Sequence, residues 1–180
     1  LLDRPFRVGE RVKIGDVDGP VESIGFRSTR IRTMAGNLVS IPNKTTADSV
    51  VENIGRRPHI KWPFVVGLVY DTPYEKMQRA VEILRDILKE HQGMDEALPP
   101  RVNFSEFAAF SLNISVTVWY HGVKRPLDWW EYQEWREKTN FEIMRQFEEA
   151  GLEFAFPTQT VYLAHDGNRP LTVSTKPGGE

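Results

Sequence analysis

Four histidines, His59, His91, His121 and His165, are the residues most able to bind a metal or shuttle a proton near neutral pH. They lie far apart in the chain, and none forms the i, i+4 pair with which one helix face offers two ligands to zinc. Surface and strand roles account for them, so no metal site is expected. Asp16 and Asp18 ahead of Gly19 look like the start of a calcium loop, but the other loop ligands are absent and a turn between strands is the simpler reading. No glycine-rich phosphate loop, nucleophile elbow or paired-carboxylate constellation stands out. The chain holds no Cys, which removes thiolate catalysis, disulfides and Cys-based metal sites and fits a reducing compartment. Neither enzymatic activity nor a cofactor is expected.

Two clusters could bind rather than react. Arg27, Arg30 and Arg32 sit in a β-rich stretch, and basic residues on a small barrel can hold single-stranded RNA or DNA. Against this alternative stand the net charge of −2, from 23 Lys plus Arg and 25 Asp plus Glu, and the lack of an aromatic repeat beside the arginines. Inter-strand or inter-subunit pairing is the preferred use of these arginines, and no nucleic acid is expected as a partner. Trp129, Trp130, Tyr132 and Trp135 could form a ligand platform, but on a helix they point to several sides. Some should be core and the exposed remainder an oligomer contact or a packing feature.

The elements that must position these groups fall into two patterns. Up to Ile54, short strand candidates alternate with turn signals. Arg11-Val-Lys-Ile14 is followed by a turn over Gly15-Asp-Val-Asp-Gly19, and Val21 to Ile24 continues as a second strand. Ser28, Arg30 and Arg32 alternate with Thr29, Ile31 and Thr33, then Ala35-Gly36-Asn37 turns the chain into Leu38-Val-Ser-Ile41, and Pro42 should end that strand. Lys44 to Ser49 reads as a helical turn or loop, and Val50 to Ile54 as a fifth strand. Five short strands are the count of an SH3-like or Sm-like barrel.

Gly55-Arg-Arg-Pro58 changes the composition and marks a boundary. His59 to Tyr70 reads as a long buried strand interrupted by Pro63. A helix follows, with Thr72 as cap, Pro73 at the first position, Glu75 completing a capping box, and Met77, Ala80, Val81, Leu84, Ile87 and Leu88 on one face before Gln92-Gly93. Val102 to Phe107 and Ser111 to Tyr120 read as a strand pair; Leu112, Ile114, Val116, Val118 and Tyr120 share a face by strict alternation. Pro126-Leu-Asp128 with Glu131 begins a second helix that runs to Ala150, with Phe141, Ile143, Met144, Phe147 and Ala150 inward. With Leu152-Glu-Phe154 as a last strand, the order is that of a ferredoxin-like α+β unit.

Beyond Ala155, Pro157, Thr158, Gln159, Thr160, Val161, Tyr162 and Leu163 form one more strand with no partner left in the chain. A lone strand exposes two unpaired edges, and cyclic repetition among copies removes both, so these seven residues are the candidate oligomer interface. Residues 165–180, rich in Gly, Pro and polar side chains, read as a disordered tail. The division expected is 1–55, 56–155, 156–164 and 165–180. With 40% hydrophobic and 27% charged residues the chain reads as an ordinary soluble one. Its best apolar run, Phe64-Val-Val-Gly-Leu-Val-Tyr70, falls well short of the roughly 20 residues of a membrane helix. Starting at Leu1 without Met or a signal-peptide pattern, it is expected to be an excised fragment.

Phe26-Arg-Ser-Thr-Arg-Ile-Arg-Thr33, Gly36, Ile41-Pro-Asn43 and Asn53 resemble the β-domain signature of the small-conductance mechanosensitive channel family. Arg57-Pro58, Val66-Gly-Leu-Val-Tyr-Asp-Thr-Pro73 and Gly151-Leu-Glu-Phe-Ala-Phe-Pro-Thr-Gln-Thr-Val-Tyr-Leu163 extend the likeness, in order, across about residues 3–163. The resemblance implies the cytoplasmic cage of a tension-gated channel in the cell (inner) membrane. It implies a homo-heptamer with an Sm-like β-domain, an α/β domain and a small parallel barrel built from one C-terminal strand per subunit. It further implies permeating ions and solutes as what the cage filters, and membrane attachment and pore-lining residues upstream of Leu1. The number seven comes from the resemblance; the edge argument supplies only closure. The Trp129-Trp130 segment and residues 167–180 carry no part of the likeness.

Overall fold

A computed structural model describes residues 5–89, 91, 94–122 and 126–157. β1 (Arg11–Ile14) and β2 (Val17–Ile24) pair antiparallel with Ile14 opposite Val17, so the connecting turn is the Gly15-Asp16 step, with Gly15 at φ 57°. The turn is shorter than the expected 15–19 because Val17, Asp18 and Gly19 enter the ladder. There Asp18 accepts from Arg11 Nε and Nη2, each at 2.8 Å. β3 (Ser28–Arg32) and β4 (Leu38–Pro42) form the expected hairpin around Gly36, at φ 89°, with Thr29 and Ile31 buried and Arg30 and Arg32 exposed. After α1 (Asn43–Asp48) comes β5 (Val51–Asn53), giving a five-stranded antiparallel sheet in the order β4-β3-β2-β1-β5. Its core is Phe6, Val12, Ile14, Val21, Ile31 and Ile41.

A 3-10 turn (Ile54–Arg56) leads to β6 (Ile60–Leu68). This strand does not break at Pro63, which pairs opposite Thr117. β6 lies at the sheet edge, where a missing N–H can point away from the partner strand. α2 (Tyr74–Leu88) follows with no side-chain cap. Pro73 holds the N-cap position, and Thr72, one residue too early, donates its hydroxyl to the Val69 carbonyl at 2.7 Å. The expected capping box is therefore absent, although Glu75 still lies in the first turn, where a carboxylate suits the helix dipole.

β7 (Arg101–Phe107) and β8 (Leu112–Tyr120) complete a three-stranded antiparallel sheet in the order β6-β8-β7. The alternation in β8 buries Leu112, Ile114, Val116, Val118 and Tyr120 against α2 and α3 (Trp129–Glu149), while Asn113, Ser115, Thr117 and Trp119 stay half-exposed. Asp128 caps α3, accepting from the Trp130 and Glu131 amides. Thr139, Ile143 and Phe147 repeat every four residues toward the sheet. Phe141 and Met144 do not turn inward as expected, being 65% and 59% exposed, because both lie off that stripe. Among the described residues no helix is long and apolar enough to cross a membrane.

Candidate assembly site

α3 ends in a left-handed cap. Gly151 sits at φ 62°, its N–H reaches the Glu148 carbonyl at 3.0 Å, and the Leu152 N–H reaches that of Phe147 at 2.9 Å. This is a Schellman closure, and it reverses the chain toward the free edge of β6. Lys76 Nζ holds the reversal by donating to the Gly151 carbonyl at 2.6 Å. There the expected last strand shrinks to a single antiparallel bridge, Leu68 opposite Phe154, flanked by Val69 N–H to Glu153 O at 3.2 Å and Ala155 N–H to Gly67 O at 2.9 Å. Phe154 stacks on Phe147 at 5.4 Å, which fixes the direction of exit. Phe156, 71% exposed, and exposed Pro157 then leave the unit. The other candidate interface residues, 158–163, and the 165–180 tail lie outside the described residues.

The asparagines of the quoted β-domain signature act as locks. Asn43 Nδ2 donates to the Gly25 and Phe26 carbonyls at 3.0 and 3.1 Å, its Oδ1 accepts from the buried Thr29 hydroxyl at 3.0 Å, and its N–H meets the Arg27 carbonyl at 2.9 Å. The turn before β3 is thereby pinned with Phe26 fully outward, at 99% exposure. Asn53 Nδ2 donates to the Pro5 carbonyl and to Glu10 Oε2, and its Oδ1 accepts the Arg56 amide. Arg56 Nε also meets Glu10 Oε1 at 2.8 Å. Hydrogen bonds from Arg56, then Asn53, lower the Glu10 pKa to about 2. Sequence reasoning never singled out Glu10, since a lone carboxylate carries no pattern; the fold half-buries it between Asn53 and Arg56.

The arginines divide. Arg32 pairs with Glu22 at 2.7 Å and donates to the Gly36 carbonyl, an inter-strand use, whereas Arg27 and Arg30 are exposed and have no ion pair among the described residues. The aromatic segment divides too: Tyr132 is buried, Trp129 is 41% and Trp130 73% exposed. Two of the four histidines, His59 and His121, meet despite their separation in sequence. Because Ile60 faces Tyr120, the His59 and His121 rings come within 5.2 Å, and His91 lies 5.0 Å from the Trp135 ring. His121 Nε2 is 3.4 Å from Asp95, and burial lowers the His59 pKa. Among the described residues no cluster has the composition to hold a metal ion.

Residues 1–56 match the family model described as mechanosensitive ion channel, beta-domain, and residues 63–154 that of mechanosensitive ion channel MscS, C-terminal. The chain is 41% identical over 167 residues to the small-conductance mechanosensitive channel MscMJ of Methanocaldococcus jannaschii, covering 92% of this chain and 46% of that protein. It is 33% identical over 164 residues to the low conductance mechanosensitive channel YnaI of Escherichia coli, covering 90% and 46%. Its fold is similar to that of Helicobacter pylori MscS in a closed state, with TM-score 0.71 at 21% identity over 90% of this chain and 60% of that one. The chain spans about half the length of the curated relatives it matches.

Proposed function

The chain belongs to the MscS family of mechanosensitive ion channels, and from that premise we propose that it forms the cytoplasmic cage of a membrane-tension-gated channel. The observation that carries this reading is the coincidence of the two matched regions, in order, with the two sheets. In this reading residues 1–55 are an Sm-like β-domain, supported by five short antiparallel strands about one small core. Residues 56–155 are a ferredoxin-like unit, supported by the order β6-β8-β7 with Phe154 at the outer edge of β6. The family is one of ion channels, and no catalytic role is assigned.

Residues 157–163 pair between subunits as a parallel barrel that closes the ring, seven copies in all. The cage filters ions and solutes on their way to the pore at the cytoplasmic side of the cell membrane. The Schellman reversal and the edge bridge support this placement, because they aim the chain off the unit with Phe156 and Pro157 in solvent. Edge pairing in a closed ring leaves no free strand to template aggregation.

Native mass spectrometry of the chain tests the assembly. A closed ring that weakens or dissociates on deletion of residues 157–180 is expected. A strictly monomeric chain at high concentration, or a deleted chain that forms the ring unchanged, would overturn the barrel's role.

A further inference from the structure

Where the two units meet, a cavity of about 610 Å³ opens between the start of β1, the 3-10 turn and the start of α3. That volume falls within the roughly 300–1,000 Å³ of small-molecule sites. Its lining holds three cations, Arg11, Arg56 and Arg57, and one carboxylate, Glu10, together with apolar residues that include Pro58, Leu127 and Trp129. Two of the three cations are neutralised: Arg11 by Asp18 and Arg56 by Glu10, each at 2.8 Å. Arg57 is different. It is half-buried, and among the described residues no carboxylate lies within ion-pair distance of it. Its guanidinium instead lies 5.8 Å from the centroid of the Trp129 ring. A ring face attracts a cation but carries no net charge to cancel it. Burial, and next the neighbouring Arg11 charge, pull the Arg57 pKa down, while Tyr132, Asp18 and Glu52 oppose them from farther down the order of effects.

We propose that this cavity binds a small organic monoanion, a carboxylate on a flat apolar body, with Arg57 clasping the carboxylate and Pro58, Leu127 and Trp129 receiving the body. The planar fork of a guanidinium matches a carboxylate in two parallel hydrogen bonds, and a partly desolvated setting strengthens them. The apolar wall gives preference for a body over the bare anion. The proposal goes beyond the cage reading and does not need the ring to form. A carboxylate from a second copy could satisfy Arg57 in the same way, and the test separates the two.

Titration calorimetry of the whole chain with benzoate, acetate and benzyl alcohol provides that test. Benzoate binds saturably at one site per chain, acetate binds more weakly, and benzyl alcohol does not bind. Arg57→Gln weakens benzoate by about ten-fold or more, as expected for loss of a charged hydrogen-bonding partner. Trp129→Leu, which keeps the cation, weakens benzoate while leaving acetate unchanged, so the proposal remains testable if Arg57→Gln fails to fold by circular dichroism. Absence of saturable benzoate binding, equal affinity for acetate and benzoate, or a folded Arg57→Gln chain that binds benzoate as the parent does would each overturn it. So would a parent oligomer that ignores benzoate while Arg57→Gln falls apart by sedimentation, which would assign Arg57 to a neighbouring subunit.

Discussion

The Thr29 hydroxyl, 2% exposed as a residue, donates to Asn43 Oδ1 at 3.0 Å and thereby joins the buried face of β3 to the first residue of α1. Asn43→Ala removes that acceptor and both side-chain donations to the 25–26 carbonyls. Stranding a buried hydroxyl and freeing a turn should destabilise the chain by about 2 kcal/mol. Asn43→Asp keeps the acceptor for Thr29 but turns a carboxylate oxygen toward the Gly25 and Phe26 carbonyl oxygens, so it should not restore the parent stability. Urea unfolding midpoints decide this, and a parent-like midpoint for Asn43→Ala would show that the turn is held by other means.

The phase of α3 yields a sharper contrast between two residues of one type. Phe147 is fully buried among both helices and the sheet, whereas Phe141 is 65% exposed. Phe147→Ala should cost about 3–5 kcal/mol, the range for deleting a buried aromatic ring. Phe141→Ala should change stability by no more than about 0.5 kcal/mol, compared at matched protomer concentration. Comparable losses from the two would contradict the helix phase.

That phase marks where the sequence was hard to read. β8 was legible because strict period-two alternation admits one burial pattern, and Asp128 was legible because it stands directly before the helix it caps. α3 is harder, since Trp130, Phe141 and Met144 place apolar side chains outside the buried stripe and blur its period. Thr72 fitted the capping pattern one residue out of register, and only the backbone reveals that its hydroxyl closes the preceding turn instead. The His59–His121 neighbourhood and the cavity around Arg57 arise from strand register and from the approach of the two units, neither of which leaves a local signature.

Acid should act on the Glu10 cluster. In the folded chain Glu10 has a pKa of about 2 against an ordinary 4.5, held down by Arg56 and Asn53. A depressed carboxylate contributes stability that is fully present above its unfolded value and is lost as pH falls from 4.5 toward 2. Glu10→Gln should therefore flatten the dependence of the urea midpoint on pH in that window and leave a lower plateau at neutral pH. Glu142, lowered to about 2 by Arg145 and Gln146, contributes in the same direction and window. Glu142→Gln must remove a separate portion, since the two carboxylates lie in different units. If Glu10→Gln leaves the profile unchanged, the cluster does not persist in solution.

Gly19 sits in β2 opposite Val12, where the β3 hairpin crosses close behind it. A Cβ placed there would meet the Arg32 carbonyl oxygen at 2.0 Å, its carbon at 2.8 Å and Thr33 Cα at 3.0 Å. All three are backbone atoms, so no rotamer change relieves the clash and β2 must move away from the end of β3. The Met34 N–H, bonded to the Asp18 carbonyl at 3.3 Å, is the contact that such a movement breaks first. Gly19→Ala should thus cost about 3 kcal/mol, the upper range for overpacking. Gly36→Ala offers a control of another kind, because its Cβ would meet open space and only φ 89° penalises it. The control should cost about 1 kcal/mol, the penalty for a left-handed alanine. Urea midpoints ordered parent, Gly36→Ala, Gly19→Ala, together with faster amide exchange at Met34 in Gly19→Ala alone, would establish that the close approach governs this crossing. Equal midpoints for the two variants would show that β2 and β3 lie farther apart than the structure has them.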